Sequence, residues 1–264
     1  MKMKPLHELI SLKGKKALIT GSASGIGRCV AYRFAEAGAD LEIVDLDEPG
    51  LNRLRNDLSK FPVKVTAHRV DLSKKEEVDL LWSSFKGEAP DILVNNAGIY
   101  PFKKFLSVDG KFLENALNVN LTSVFWMCQH MIRRRMGRGG VIINVGSIEA
   151  ILPFQGDMVH YDVSKAGVIA LTRALAKEYG KRGFRVNALI PGGIKTPGVM
   201  RAAKNVVRLQ LGLIKSWVEF KWRLPLGRLG HPDEVARMAL VLASELSSYV
   251  QGALIVVDGG FLSS

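Results

Sequence analysis

Short apolar runs of strand length recur seven times along the 264-residue chain, and stretches with helical spacing separate most of them. The runs cover 15–20, 41–44, 63–70, 92–94, 141–145, 185–190 and 254–257. Between them, Ile26, Val30, Phe34 and Ala37 share one helical face that ends at Gly38, as do Leu51, Leu54 and Leu58, then Val78, Leu81, Trp82 and Phe85. Longer helices are expected over 112–136, 160–180 and 233–243. Strands that are apolar on both faces must be covered on both, and an intervening helix makes successive strands parallel. The pattern predicts an α/β fold: a doubly wound, seven-stranded parallel sheet with helices on both faces. No linker, low-complexity tract or internal repeat divides it, so residues 1–264 read as a single domain. The long connection 196–223 carries Met200, Val206, Leu209, Trp217, Phe220 and Trp222. One or two helices are expected there, either a substrate lid or a subdomain that simply packs.

Composition narrows the class. Hydrophobic residues make up 47% and charged residues 23%, which excludes a disordered or collagen-like chain. Two cysteines, Cys29 and Cys128, are too few for a disulfide framework and read as core residues on helices. The first residues lack the apolar stretch of a signal peptide, and no run of about 18 apolar residues exists, so a soluble cytoplasmic protein with no membrane contact is expected. The net charge of +12 raises the question of a polyanionic partner. Basic residues are nevertheless scattered over every helix, and Arg133, Arg134 and Arg135 end a helix, where cations favour the dipole. No nucleic-acid partner is expected. His7, His68, His130 and His231 are dispersed, so no metal site is expected either.

Thr20-Gly21-Ser22-Ala23-Ser24-Gly25-Ile26-Gly27 lies where the first strand meets the first helix. Glycines at 21, 25 and 27 allow a tight turn and let a pyrophosphate approach the helix N-terminus, whose free N–H groups favour an anion. Asp45 ends the second strand, where a carboxylate accepts hydrogen bonds from adenosine ribose hydroxyls and repels a 2′-phosphate. Ser22, Ser24 and Leu46 offer that phosphate no cation, so NAD is expected as the cofactor in preference to NADP.

Tyr161 and Lys165 are four residues apart on one helix, which places them on one face about 5–6 Å apart at Cβ. An ammonium near a phenol favours the phenolate, which a tyrosine acid/base needs near neutral pH. Ser147 follows the fifth strand, and a hydroxyl there can hold a carbonyl or alcohol oxygen. Asn120 in mid-helix is an unfavourable placement unless its side chain has a partner.

With these residues assembled, the chain resembles the short-chain dehydrogenase/reductase family, in an NAD-preferring branch, from Leu12 to Gly260. The resemblance rests on the glycine turn, Asp71-Leu72, Asn95-Asn96-Ala97-Gly98, Asn120, Ser147, Tyr161, Lys165, the run from Pro191 to Thr196, and Asp258-Gly259-Gly260. It implies a Rossmann fold and reversible hydride transfer between nicotinamide and an alcohol or carbonyl carbon. It further implies that Gly21, Ser24, Gly25, Ile26, Gly27, Asp45 and Leu46 bind the cofactor, with Asp71 and Leu72 at the adenine. Asn95, Ala97 and Gly98 would line the cleft, and Pro191, Gly192, Ile194 and Thr196 would complete it. Tyr161 would be the general acid/base and Ser147 would orient the reacting oxygen. Lys165 would lower the Tyr161 pKa and bind ribose hydroxyls, and Asn120 would hold a water in a proton relay. Glu149, Phe154 and Gly193 are expected to meet the substrate beside Ser147 and Tyr161, with His160 and Gln155 as further pocket candidates.

A sugar or polyol dehydrogenase and a 3-oxoacyl-thioester reductase remain open within this class. An NAD-binding regulator is the non-enzyme alternative, against which the intact Ser147, Tyr161 and Lys165 argue. The resemblance also implies a homotetramer. Apolar residues at Phe125, Met127, Cys128 and Met131, and at Val168, Leu171, Leu175 and Tyr179, exceed one core-facing stripe and suit burial against a second subunit.

Overall fold

The computed structural model describes residues 3–87, 89–200, 220 and 222–264. Its seven strands form one parallel sheet in the order β3-β2-β1-β4-β5-β6-β7. They are β1 (Lys16–Thr20), β2 (Asp40–Asp45), β3 (Val65–Arg69), β4 (Ile92–Asn95), β5 (Gly140–Val145), β6 (Phe184–Pro191) and β7 (Leu254–Val257). The principal helices are α1 (Gly25–Glu36), α2 (Glu48–Leu58), α3 (Lys75–Ser84), α4 (Gly110–Leu117), α5 (Ser123–Arg135), α6 (Val159–Tyr179) and α7 (Pro232–Ala243).

Alternation along the strands builds two cores, one on each face of the sheet. Ile19, Ile43, Val94 and Ile143 face α1, α2 and α7, where they meet Phe34, Leu54 and Val235. Their neighbours Leu18, Val44, Leu93 and Ile142 face the other way, onto Trp82 of α3, Met131 of α5 and Val168 of α6. Burying each such side chain contributes about 1.5–3 kcal/mol, and the two layers together fix the sheet's register.

The helix expected over 112–136 starts earlier and is not uniform. Asp109 caps α4 by accepting from the Phe112 N–H at 2.8 Å, and a π turn over Asn118–Thr122 joins α4 to α5. The side chain of Asn120 explains its place in that turn. Its Oδ1 accepts from the Ile99 N–H and its Nδ2 donates to the Ile99 carbonyl, both at 2.8 Å, so the amide pairs with a neighbouring backbone like a strand residue. Within the arginine run, Arg133 and Arg134 are exposed, whereas Arg135 is buried and donates to the carbonyls of Gly139 and Ala89 and to Asp91.

Of the apolar residues on α5 and α6 expected to exceed one core-facing stripe, some fill this chain's own core and others stay only partly buried. Met127, Cys128, Met131 and Val168 are fully packed within this chain, and Leu171, Leu175 and Tyr179 pack against the same cluster. Burial pushes the Cys128 thiol up to about 12, whereas Cys29 is half-buried. Phe125 remains exposed. The lid expected over 196–223 lies for the most part outside the described residues, although Phe220 stacks on Phe154 with ring centroids 4.8 Å apart. No helix among the described residues is long and apolar enough to cross a membrane.

A buried polar chain ties the sheet to α6. Asn95 Nδ2 donates to Asn144 Oδ1 at 2.8 Å, and Asn144 Nδ2 donates to Thr172 Oγ1 at 2.9 Å. Replacing Asn95 by Leu leaves the Asn144 oxygen with its weaker Cys128 contact. We expect a loss of about 1–3 kcal/mol in urea unfolding; an unchanged midpoint would show that the chain contributes nothing.

Candidate active site

The C-terminal ends of the strands open on one cavity of about 870 Å³. It forms where the strand order reverses, between β1, which leads outward to β2, and β4, which leads to β5. Thr20 and Asn96 hold that point closed. Thr20 Oγ1 accepts from the N–H groups of Asn96 and Ala97, and Asn96 Nδ2 donates to the carbonyls of Thr20 and Gly21, at 3.0–3.1 Å. Sequence reasoning missed Asn96 as a site residue, although it stands inside the Asn-Asn-Ala-Gly motif.

At one end the glycine turn wraps under the cavity. Gly21 has φ +64°, and a Cβ there would lie 2.8 Å from Ala97 Cα, so only glycine fits. Gly21, Ser24, Gly25 and Ile26 line the cavity. Gly27 does not: it packs under the turn, where a Cβ would strike the Gly21 carbonyl. Ser24 is the N-cap of α1 but makes no side-chain capping bond. The helix end thus presents first-turn N–H groups of the kind that hold phosphate. Asp45 lies beyond, its carboxylate accepting from the N–H groups of Ala23 at 2.9 Å and Asp47 at 3.1 Å. Those bonds fix its orientation and leave lone pairs for ribose hydroxyls.

Leu46, Asp71 and Leu72 complete that end. The Ser73 hydroxyl and N–H, which bond Asp71 Oδ1, hold its carboxyl below the usual carboxylate range. Asn95 is corrected: it is buried behind the wall, and Asn96, Ala97 and Gly98 line the cavity instead. The narrow glycine cradle, the open helix end and the carboxylate together fit a nicotinamide dinucleotide.

At the other end Ser147, Glu149, Tyr161 and Lys165 share the wall. β5 delivers Ser147 and the first turn of α6 delivers Tyr161, and the Ser147 hydroxyl is close enough to favour the phenolate. Lys165 Nζ donates to the Val145 carbonyl at 2.8 Å and lies 5.8 Å from the Tyr161 ring centroid. Burial lowers its pKa to about 8. The expected lowering of the Tyr161 pKa is not what the chain's own groups produce. Burial pushes the phenol up to about 12, opposed by the Ser147 hydroxyl and reinforced by the nearby Glu149. Asn120 is not in the wall, because its amide is committed to Ile99. It does flank Gly98 together with Lys165: a Cβ on Gly98 would lie 3.3 Å from Asn120 Oδ1 and 3.5 Å from Lys165 Nζ.

Pro191, Gly192, Gly193, Ile194 and Thr196 form the facing wall, with Phe154 beside the substrate end. Gly193 abuts the Phe220 ring, which a Cβ would strike. His160 does not line the cavity; its Nε2 donates to the Pro101 carbonyl at 2.7 Å. Tyr100 was also missed. Its ring meets Tyr161 edge-on at 6.3 Å between centroids, and its position two residues beyond Gly98 was the available signal.

Glu149 is buried, yet its side chain reaches the cavity. Its Oε2 accepts from the Phe154 N–H at 3.1 Å, and the nearby Gln155 N–H also favours the ionised form. Burial, the largest influence, pushes its pKa up to about 7, with Asp162 adding like-charge repulsion. Burial likewise raises Asp162 to about 6.

A family model described as enoyl-(acyl carrier protein) reductase matches residues 21–262. A 3-oxoacyl-(acyl-carrier-protein) reductase of Chlamydia pneumoniae is 39% identical over 95% of this chain and 98% of its own length. The 2-dehydro-3-deoxy-D-gluconate 5-dehydrogenase of Bacillus subtilis is 37% identical over 98% of each chain. Among solved structures, an L-sorbose reductase from Gluconobacter frateurii, complexed with NADPH and L-sorbose, superposes with a TM-score of 0.88. It is 32% identical, over 97% of this chain and 99% of its own.

The raised Glu149 pKa makes folding pH-dependent. The fold favours the neutral acid, so this contribution to stability is complete below about pH 4.5 and is lost as pH rises through about 7. Glu149→Gln removes the loss, which amounts to about 3 kcal/mol at most. The variant should therefore gain on the wild type in thermal unfolding between pH 5 and 8. A difference independent of pH would contradict the burial account.

Proposed function

The chain belongs to the short-chain dehydrogenase/reductase family, and from that premise we propose that it is an NAD(H)-dependent oxidoreductase interconverting a secondary alcohol and its carbonyl compound. The observation that carries this reading is the meeting of Ser147, Tyr161 and Lys165 on the same cavity as the glycine turn and Asp45. Bound nicotinamide dinucleotide would supply or receive the hydride. Gly21, Ser24, Gly25 and Ile26 would hold its pyrophosphate and Asp45 its adenosine ribose, with Leu46, Asp71 and Leu72 at the adenine. Ala97, Gly98, Pro191, Gly192, Ile194 and Thr196 would enclose the rest.

The protein's own task is to place one oxygen and manage one proton. The hydroxyls of Ser147 and Tyr161 converge on the substrate oxygen. Tyr161 gives it a proton on reduction and takes that proton back on oxidation. A phenol that burial keeps protonated is ready to donate, and a neighbouring ammonium at Lys165 stabilises the phenolate left behind. Asn120, seated on Ile99 beside Gly98 and Lys165, positions the lysine's surroundings.

NAD is preferred to NADP in this reading because Lys165 is the only cationic side chain among the described residues lining the cavity. Arg69 pairs with Asp45 in the β2–β3 register but is not part of that wall. The NADPH of the L-sorbose reductase is the counter-example within the family. The relatives leave several substrate classes in play, among them a sugar or polyol, a 3-oxoacyl thioester and a hydroxysteroid. Subunit pairing into a homotetramer belongs to the same reading, with the exposed Phe125 of α5 and Val163 of α6 as contact residues.

Two substitutions test these assignments. Tyr161→Phe should lower kcat by about 100-fold or more while NAD affinity, read by fluorescence titration, stays within about threefold. A variant retaining a tenth of the wild-type rate would remove Tyr161 from the acid/base role. Asp45→Ala should cut the NAD-over-NADP ratio of kcat/KM by about tenfold; a wild type that uses both equally would overturn the cofactor assignment.

A further inference from the structure

Glu149 is difficult to explain as scaffold. A buried carboxyl is costly unless hydrogen-bonded, and the loop 148–155 could have carried an apolar residue at that position. The backbone N–H of Phe154 engages part of its acceptor capacity, and the remainder belongs to a side chain that lines the cavity. Its own N–H bonds Ser147 Oγ at 3.2 Å, and its charge is felt at Tyr161. The carboxyl is therefore built into the turn that positions the reacting oxygen. Gln155, also in the wall, has a buried Nε2 with no hydrogen-bond partner among the described residues.

We propose that Glu149 is the specificity-determining residue of this site, its carboxyl receiving a hydroxyl on the carbon next to the reacting one, so that the substrates are vicinal diols and the corresponding hydroxy-ketones. This rests on the alcohol–carbonyl reading above. Three kinds of neighbour would meet the carboxyl differently. The methylene chain of an acyl thioester offers it no hydrogen bond and leaves it desolvated. An ammonium satisfies only its ionised form. A hydroxyl both donates and accepts, so it satisfies the ionised and the neutral acid alike. That property matters because burial and Asp162 bring the group close to half-ionised at neutral pH.

The test measures kcat/KM for trans-cyclohexanediol, cyclohexanol and the corresponding amino alcohol, with NAD and NADP each supplied, in the wild type, Glu149→Leu and Glu149→Gln. Calorimetric binding of the diol is measured in parallel. The wild type should favour the diol. The diol-over-alcohol ratio should fall about 10- to 100-fold in Glu149→Leu, mostly through KM, with a matching loss of diol affinity. Glu149→Gln, which keeps an acceptor oxygen, should retain part of the preference and gives a readout if the leucine variant fails to fold. An unchanged ratio in both variants, or a wild-type preference for the amino alcohol, would overturn the Glu149 assignment and leave the enzyme reading standing. No turnover of any alcohol with either dinucleotide would overturn both.

Discussion

The bonds between Thr20 and Asn96 are the constraint on which the catalytic end of the molecule depends. Parallel strands β1 and β4 are neighbours in the sheet, yet their following segments leave in opposite directions, which opens a crevice at their C-terminal ends. Four hydrogen bonds across that crevice keep its floor narrow while the turn at Gly21 passes within van der Waals reach of Ala97. The glycine requirement, the open end of α1 and the position of Asp45 all follow from that closeness. A second polar chain, Asn95–Asn144–Thr172, then fixes β4, β5 and α6 relative to one another. The hydroxyls of Ser147 and Tyr161 meet because their elements are joined in this way.

Burial sets the protonation behaviour of the site. It moves the phenol of Tyr161 and the carboxyl of Glu149 up and the amine of Lys165 down, each toward its neutral form. Three titratable groups in one wall would be prohibitive as three full charges at low dielectric. At neutral pH the phenol of Tyr161 stays protonated, Glu149 is shared between its two forms and Lys165 keeps its ammonium, so the wall does not carry three full charges. The net charge of +12 is not concentrated in the cavity, whose described walls carry one lysine.

Much of this could be read from the sequence, and the misses share a cause. Strand–helix alternation and period-two burial depend on local pattern, so the sheet, its parallel sense and the glycine turn were legible. The π turn at Asn120 was not, because what stabilises it is the backbone of Ile99, twenty-one residues away. Asn95 and Asn96 are adjacent in sequence and identical in type. Only the pleat of β4 decides that the first points into the core and the second, just past the strand end, into the crevice. Met127, Cys128 and Met131 looked like surplus apolar residues because the depth of the core beneath α5 is a tertiary property. The Tyr161–Lys165 spacing located the pair correctly but could not weigh the ammonium against burial, which dominates.

The central claim is that this cavity moves a hydride between an alcohol carbon and nicotinamide while Tyr161 handles only the proton. The direct test uses secondary alcohols deuterated at the carbinol carbon, incubated with the protein and NAD, with mass spectrometry of the dinucleotide. The account predicts that deuterium from a turned-over alcohol appears in the reduced nicotinamide ring, with none lost to water. Deuterium released to solvent, or retained in the product, would contradict it.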